Sequence, residues 1–249
     1  MIKWAYGVMT VPQRRNNLLI RTLASLKKAG FDQPRLLVDG SNDPQSYEKE
    51  FNLEVTCRSP NIRTFGNWML GMAELYIRNP CARLYAMFQD DFVTYIGLRE
   101  YLSKCDYPDK GYFNLYTFPS NQDDSKSGWY PGALLRSGQP GYQTGRGAVA
   151  LVFTNEGLTT LLNHTHTIQR PKDPSRGHRS VDGGIVSAMN KAGYTEYVHN
   201  PSLVQHTGHI SAMKNRPHKL ATSFRGEDFD VSTLLTPDQR AGVKRVTLG

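Results

Sequence analysis

Leu84-Tyr85-Ala86-Met87-Phe88-Gln89-Asp90-Asp91 decides how this chain is read. Five consecutive apolar residues match a strand buried on both faces, as in parallel sheets covered by helices. The run stops on two adjacent carboxylates. Like charges a few ångströms apart repel, and burying either one unpaired costs more still. A divalent cation removes both costs. Mg²⁺ and Mn²⁺ prefer hard oxygen ligands and commonly join protein carboxylates to a substrate diphosphate. The pair alone does not settle the matter, because Asp-Asp also occurs in solvated turns.

Upstream, Tyr6-Gly7-Val8-Met9 reads as a first strand, and Pro12 opens a turn. Leu19, Leu23 and Leu26 recur at helical spacing between Arg14 and Ala29, with Gly30 as the stop. Arg35-Leu36-Leu37-Val38 is a second strand, ended by the turn-forming Asp39-Gly40-Ser41-Asn42-Asp43. Val55-Thr56-Cys57 is a third, and Gly66 to Arg78 carries Met69, Met72, Leu75 and Tyr76 on one helical face. This order predicts an α/β fold with a mostly parallel central sheet and helices on both faces. Ligands in such sheets bind beyond the carboxyl ends of the strands. Thr10, Asp39 and Asp90-Asp91 all fall there.

The second half is less regular. Tyr112–Phe118 and Ala148–Phe153 read as strands, separated by a polar, glycine-rich stretch from Pro119 to Arg146 that reads as a loop. Trp129 and Tyr130 within it are candidates for a stacking platform or for packing. Gly145-Arg146-Gly147-Ala148 precedes a strand instead of opening a helix, so the phosphate-cradling fingerprint does not apply; its glycines would let backbone approach a ligand. Asp182 falls at or near the N-cap of a helix from Gly183 to Ala192. Tyr194–His199 is a further strand, and the chain from Lys214 wraps the outside. One domain is expected, with a first half over residues 1–110, a second half over 111–210 and a wrapping segment over 211–249.

The chain has 249 residues, 39% of them hydrophobic, enough for one large α/β domain. No apolar run approaches the roughly 20 residues of a membrane span. No signal-peptide pattern opens the sequence. Cys57, Cys81 and Cys105 are odd in number and widely spaced, which suggests reduced thiols, a cytoplasmic setting and no zinc site. The net charge of +8 suits a polyanionic partner, a nucleotide site or merely a basic surface.

Taken together these segments resemble the GT-A class of nucleotide-sugar glycosyltransferases. Tyr6 to Pro12 with Arg14 and Arg15 resembles the first strand and nucleotide loop. Val38-Asp39-Gly40-Ser41 resembles the second strand end, whose aspartate often contacts uracil. Gln89-Asp90-Asp91 resembles the DXD-type metal motif, with glutamine where glutamate is common. Val181-Asp182 resembles the segment carrying the base of inverting members, and Pro201 to Gly208 resembles a C-terminal histidine motif. The resemblance implies Mn²⁺ or Mg²⁺ on Asp91 and His206. It implies a UDP-sugar on Thr10, Pro12, Arg14, Asp39, Gln89 and Asp90, and Asp182 as base for an inverting displacement. Gln89 retains hydrogen bonding to a ribose but supplies no charge.

The acceptor side is basic. Arg176 and Arg179 stand in the run Arg170 to Arg179 just before Asp182, and Lys214, Arg216, Lys219 and Arg225 follow His206. With Trp129 and Arg146 these are the expected acceptor contacts. Such charge suits phosphate-rich DNA, and the expectation is transfer to a hydroxymethylated pyrimidine, in the manner of bacteriophage DNA-modifying glycosyltransferases. A polysaccharide, lipid-linked glycan or protein acceptor, and a non-catalytic nucleic-acid-binding module, are the alternatives.

Overall fold

The computed structural model describes residues 2–134, 143–169, 181–207 and 219–241. Strands β1 (Trp4–Thr10), β2 (Arg35–Asp39), β3 (Val55–Arg58) and β4 (Leu84–Gln89) run parallel. They join β6 (Gly111–Asn114), β7 (Gly128–Pro131), β8 (Ala150–Thr154) and β9 (Thr195–Asn200) in one eight-stranded sheet of order β3-β2-β1-β4-β8-β6-β9-β7. Strand β8 lies antiparallel to both β4 and β6, and β7 antiparallel to β9. The expected mixed, mainly parallel sheet is present. The start of β8 therefore reaches the same rim as the ends of β1, β2 and β4. A separate two-stranded ladder pairs β5 (Phe92–Thr94) with β10 (Val204–His206).

Period-two alternation sorts the core onto two faces. Trp4, Val8, Leu36, Val38, Ala86, Phe88 and Val152 point to one cluster, while Ala5, Met9, Leu37, Tyr85, Met87 and Phe153 point to the other. The first face is covered by α1 (Ile20–Lys28), α2 (Pro44–Phe51) and α4 (Leu98–Lys104) through Leu26, Tyr47 and Leu102. The second is covered by α3 (Arg63–Arg78), α5 (Asn155–Asn163) and α7 (Val181–Lys191) through Met72, Leu158 and Ile185. Each such side chain contributes about 1.5–3 kcal/mol on full burial.

Several elements differ from the sequence expectation. The first helix begins as a 3₁₀ turn over Pro12–Arg14 and a π turn over Arg15–Leu19 before α1. Asp43, read as a turn residue, caps α2 by accepting from Ser46 N at 3.1 Å. Thr154 caps α5 in the same way, accepting from Gly157 N. Trp129 and Tyr130 lie in β7, because that segment finds the exposed edge of β9 to pair with. Short helices α6 (Thr165–Gln169) and α8 (Pro237–Ala241) complete the described chain. From residue 219 the chain closes over the first face, burying Val231 and Leu235. No helix among the described residues is long and apolar enough to cross a membrane. Cys57, Cys81 and Cys105 are free thiols.

Candidate active site at the carboxyl rim of the sheet

Strand β4 delivers Asp90 and Asp91 to the rim, both buried. Thr10, at the end of neighbouring β1, donates its hydroxyl to Asp90 Oδ2 at 2.5 Å. Arg14, on the 3₁₀ turn that Pro12 opens, places one guanidinium nitrogen 2.5 Å from Asp90 Oδ1 and 2.8 Å from Asp91 Oδ2. The repulsion foreseen between the two carboxylates is thus offset by an internal cation. Removing one partner of such a buried group costs about 3–5 kcal/mol. Burial pushes the Asp90 carboxyl up to about 6; Arg14 pulls it down, Asp91 pushes it further up, and the Thr10 and Arg14 hydrogen bonds lower it.

His206 arrives from the far end of the chain. The β5–β10 ladder sets it opposite Phe92, and Thr207 N donates to Asp91 O at 2.8 Å. Its Nε2 lies 3.7 Å from Asp91 Oδ2. Asp91 Oδ1 is buried with no hydrogen-bond partner among the described residues. A carboxylate oxygen left without a donor beside an imidazole suits a hard divalent ion. Among the described residues no three His, Cys, Asp or Glu side chains converge on one point. The residues therefore fit an ion that takes one or two protein ligands and completes its shell with phosphate oxygens and water.

At the end of β2, Asp39 is buried and its Oδ1 accepts from Ile62 N at 2.8 Å. This bond ties the β2 end to the loop entering α3, a loop the sequence reading assigned nothing. Asn67 on α3 donates to Leu37 O at 3.0 Å, while its Oδ1 is buried without a partner. Pro12 is exposed. Arg15 is directed elsewhere: it bonds Glu50 and Ser46 and lies 4.0 Å over the Tyr47 ring, fastening α2.

Gln89 fastens the strap that leads into β8. Its backbone N donates to Val149 O and its side-chain nitrogen to Ala148 O, each at 2.8 Å. That bond occupies one of the two N–H groups of the amide. Further along the strap, Gly147 N donates to Asp182 Oδ2 at 3.0 Å. Asp182 lies in the first turn of α7, and its Oδ1 accepts from its neighbour Gly183 N at 2.9 Å. One strap thus links the Asp90-Asp91 strand end to the Asp182 carboxylate. Gly147 is forced by this geometry: its φ is +77°, and a Cβ there would lie 2.4 Å from Tyr116 Cδ1. The space a Cβ would need here is filled by the Tyr116 ring.

Beneath the strap, Asn114 at the end of β6 donates to Arg146 O at 2.9 Å and to Glu196 Oε1 at 3.0 Å. Burial pushes Glu196 up to about 7; the Asn114 bond lowers it and the Asp182 charge raises it. The sequence reading missed Glu196, since a lone carboxylate on a strand carries no motif. Arg146 lies 5.3 Å over the Phe118 ring, and Lys219 lies 5.7 Å from the same ring. Trp129 is not brought to the carboxylates; its ring packs against Phe113 at 5.1 Å and His199 at 4.9 Å. Arg176 and Arg179 lie outside the described residues.

No protein-family model and no curated protein matches the chain. Solved structures do. GalNAc-T7, crystallised with UDP, GalNAc and Mn²⁺, superposes with a TM-score of 0.57 at 11% identity over 83% of this chain. The chain has a GT-A-like fold. It spans 44% of the GalNAc-T7 chain. A nucleotidyl transferase from Methanothermobacter thermautotroptrophicus matches with a TM-score of 0.48 at 12% identity, covering 79% of this chain and 86% of that one. A nucleoside-diphosphate-sugar pyrophosphorylase from Vibrio cholerae matches at 0.45 and 10%, covering 83% and 95%. In this GT-A-like fold the end of β4 and the strap before β8 share one rim.

Proposed function

We propose that this chain is a divalent-metal-dependent glycosyltransferase that moves a sugar from a UDP-sugar to an acceptor hydroxyl in one inverting displacement. The observation that carries the proposal is the single strap connecting the Asp90-Asp91-Arg14-His206 cluster to the Asp182 carboxylate. A GT-A-like fold supports the reading at the level of architecture.

Asp91 and His206 would hold Mn²⁺ or Mg²⁺, which when bound offsets negative charge on a departing diphosphate. Asp90, oriented by Thr10, keeps Asp91 and Arg14 in register. Arg14 supplies further positive charge at the same place. Asp39 and the Ile62 loop border the nucleoside side, with Pro12 at its mouth. Asp182 takes the proton of the attacking hydroxyl, its two backbone hydrogen bonds fixing the orientation of the carboxylate. Trp129 would serve the acceptor only through its exposed edge.

The acceptor reading rests on charge. Arg146 and Lys219 both approach the Phe118 ring, and Arg176 and Arg179 stand in the basic run just before Asp182 in the sequence. These favour a polyanion, and we take it to be DNA carrying a hydroxymethylated pyrimidine. A base within a duplex would have to be flipped out to reach Asp182. The test incubates the protein with Mn²⁺, a panel of UDP-sugars and hydroxymethylated DNA, followed by mass spectrometry of digested nucleosides. A hexose or pentose adduct, absent with Asp91→Ala, is the expected result. Transfer to a glycan, lipid-linked or protein acceptor instead would remove the DNA acceptor. Binding of DNA without turnover of any donor would remove the enzyme.

A further inference from the structure

We propose that Arg14 is a built-in counter-cation that makes metal binding and diphosphate binding depend on each other. The inference rests on the donor and metal reading above and adds a role for Arg14 within it. One guanidinium nitrogen serves Asp90 Oδ1 and Asp91 Oδ2 together, at 2.5 and 2.8 Å. Two carboxylates and one guanidinium leave the cluster with one net negative charge. A dication arriving alone therefore meets a positive group already seated on one of the Asp91 oxygens. A diphosphate arriving alone meets Asp90 and Asp91. The ion alone must compete with Arg14 for Asp91 Oδ2, and the diphosphate alone meets the net negative charge of the cluster.

Arriving together they resolve the conflict. A diphosphate offers the planar guanidinium a paired set of phosphate oxygens, a better partner than one oxygen from each of two carboxylates. Arg14 then leaves Asp91, whose Oδ2 joins the partnerless Oδ1 and the imidazole of His206 in facing the ion. Asp90 stays in place, because the Thr10 hydroxyl holds its other oxygen at 2.5 Å. The backbone around Arg14 suits such a movement. It stands at the junction of the 3₁₀ turn Pro12–Arg14 and the π turn Arg15–Leu19, ahead of regular α1. Irregular helical turns of this kind recur at functional hinges.

The test measures Mn²⁺ binding to the full chain, by the paramagnetic resonance of free Mn²⁺, with and without UDP. In the wild-type protein UDP is expected to raise Mn²⁺ affinity about 10- to 100-fold, with Mn²⁺ raising UDP affinity by the same factor. In Arg14→Gln, Mn²⁺ alone should bind about tenfold tighter than in wild type, and the coupling to UDP should fall to about threefold or less. Arg14→Lys retains a cation without the planar fork and should lie between the two. It decides the matter if Arg14→Gln does not fold. Mn²⁺ and UDP binding to wild type and variant with the same affinities and the same coupling overturns this inference alone. No binding of either ligand to either protein overturns it together with the metal-dependent donor site.

Discussion

Glu196→Gln tests the electrostatics beneath the site. Glu196 is buried on β9; Oε1 accepts from Asn114, while Oε2 is buried without a partner among the described residues. Burial raises its pKa from an ordinary 4.5 to about 7. A raised carboxyl makes the folded state bind its proton more tightly than the unfolded chain does. Its stabilising contribution is therefore complete below about pH 4.5 and is lost as pH rises through about 7. The loss amounts to about 3 kcal/mol. Glutamine has nearly the same shape and does not titrate. The amide nitrogen would sit where Oε2 lacks a partner, which costs about 1–3 kcal/mol at every pH. Subtracting the two proteins removes titrations they share, including Asp90. Urea unfolding from pH 4.5 to 8.5 should show wild-type stability falling relative to the variant by about 3 kcal/mol. A difference that stays constant across that range would refute the argument that Glu196 is desolvated and protonated near neutrality.

Asp91→Asn should lower Mn²⁺ affinity by about 100-fold or more, beyond the 10- to 100-fold that outer-shell changes cost, as measured by titration in the presence of UDP. Asp182→Asn should lower the transfer rate about 10²- to 10⁴-fold while leaving UDP and Mn²⁺ affinities within about twofold of wild type, which steady-state and binding measurements together would show. Gly147→Ala should destabilise the fold by about 2–5 kcal/mol in urea unfolding, since a positive φ and a 2.4 Å approach to Tyr116 both oppose a methyl group. If DNA is the acceptor, its binding should weaken steeply with salt, and Lys219→Ala should reduce the salt slope by about one.

The carboxyl-rim site was legible because strands announce themselves. Leu84 to Phe88 and Arg35 to Val38 are short apolar runs, and the residues next after each run must lie at the rim of a parallel sheet. Asp39, Asp90 and Asp91 were found by that rule. Asp182 was legible as a helix start, although its position in the first turn and its bond to Gly147 needed coordinates. The role of Arg14 was not legible, because nothing local says that a turn after β1 closes on a residue 76 positions away. Glu196 was hidden for the same reason: its raised pKa comes first from burial by other elements and then from the Asp182 charge, against the lowering bond from Asn114. The packing of Trp129, one of the two readings open to it, takes place on a strand, where a polar, glycine-rich stretch had been read as a loop. Strand β7 forms there through pairing with β9, an interaction that local composition does not carry.

The β5–β10 ladder has a consequence for the order in which the molecule is made. Thr10, Arg14, Asp90 and Asp91 lie in the first 91 residues and bond one another. His206 cannot take its place until Val204 has paired with Thr94, more than a hundred residues later. At ordinary translation rates of about 5–20 residues per second, this interval lasts about 5–25 seconds. Through that interval Arg14 is the only one of these cluster groups with a fixed positive charge to offset the two carboxylates. Arg14, encoded within the same first 91 residues as both aspartates, is thus the counter-charge of the cluster that does not wait for the last strand.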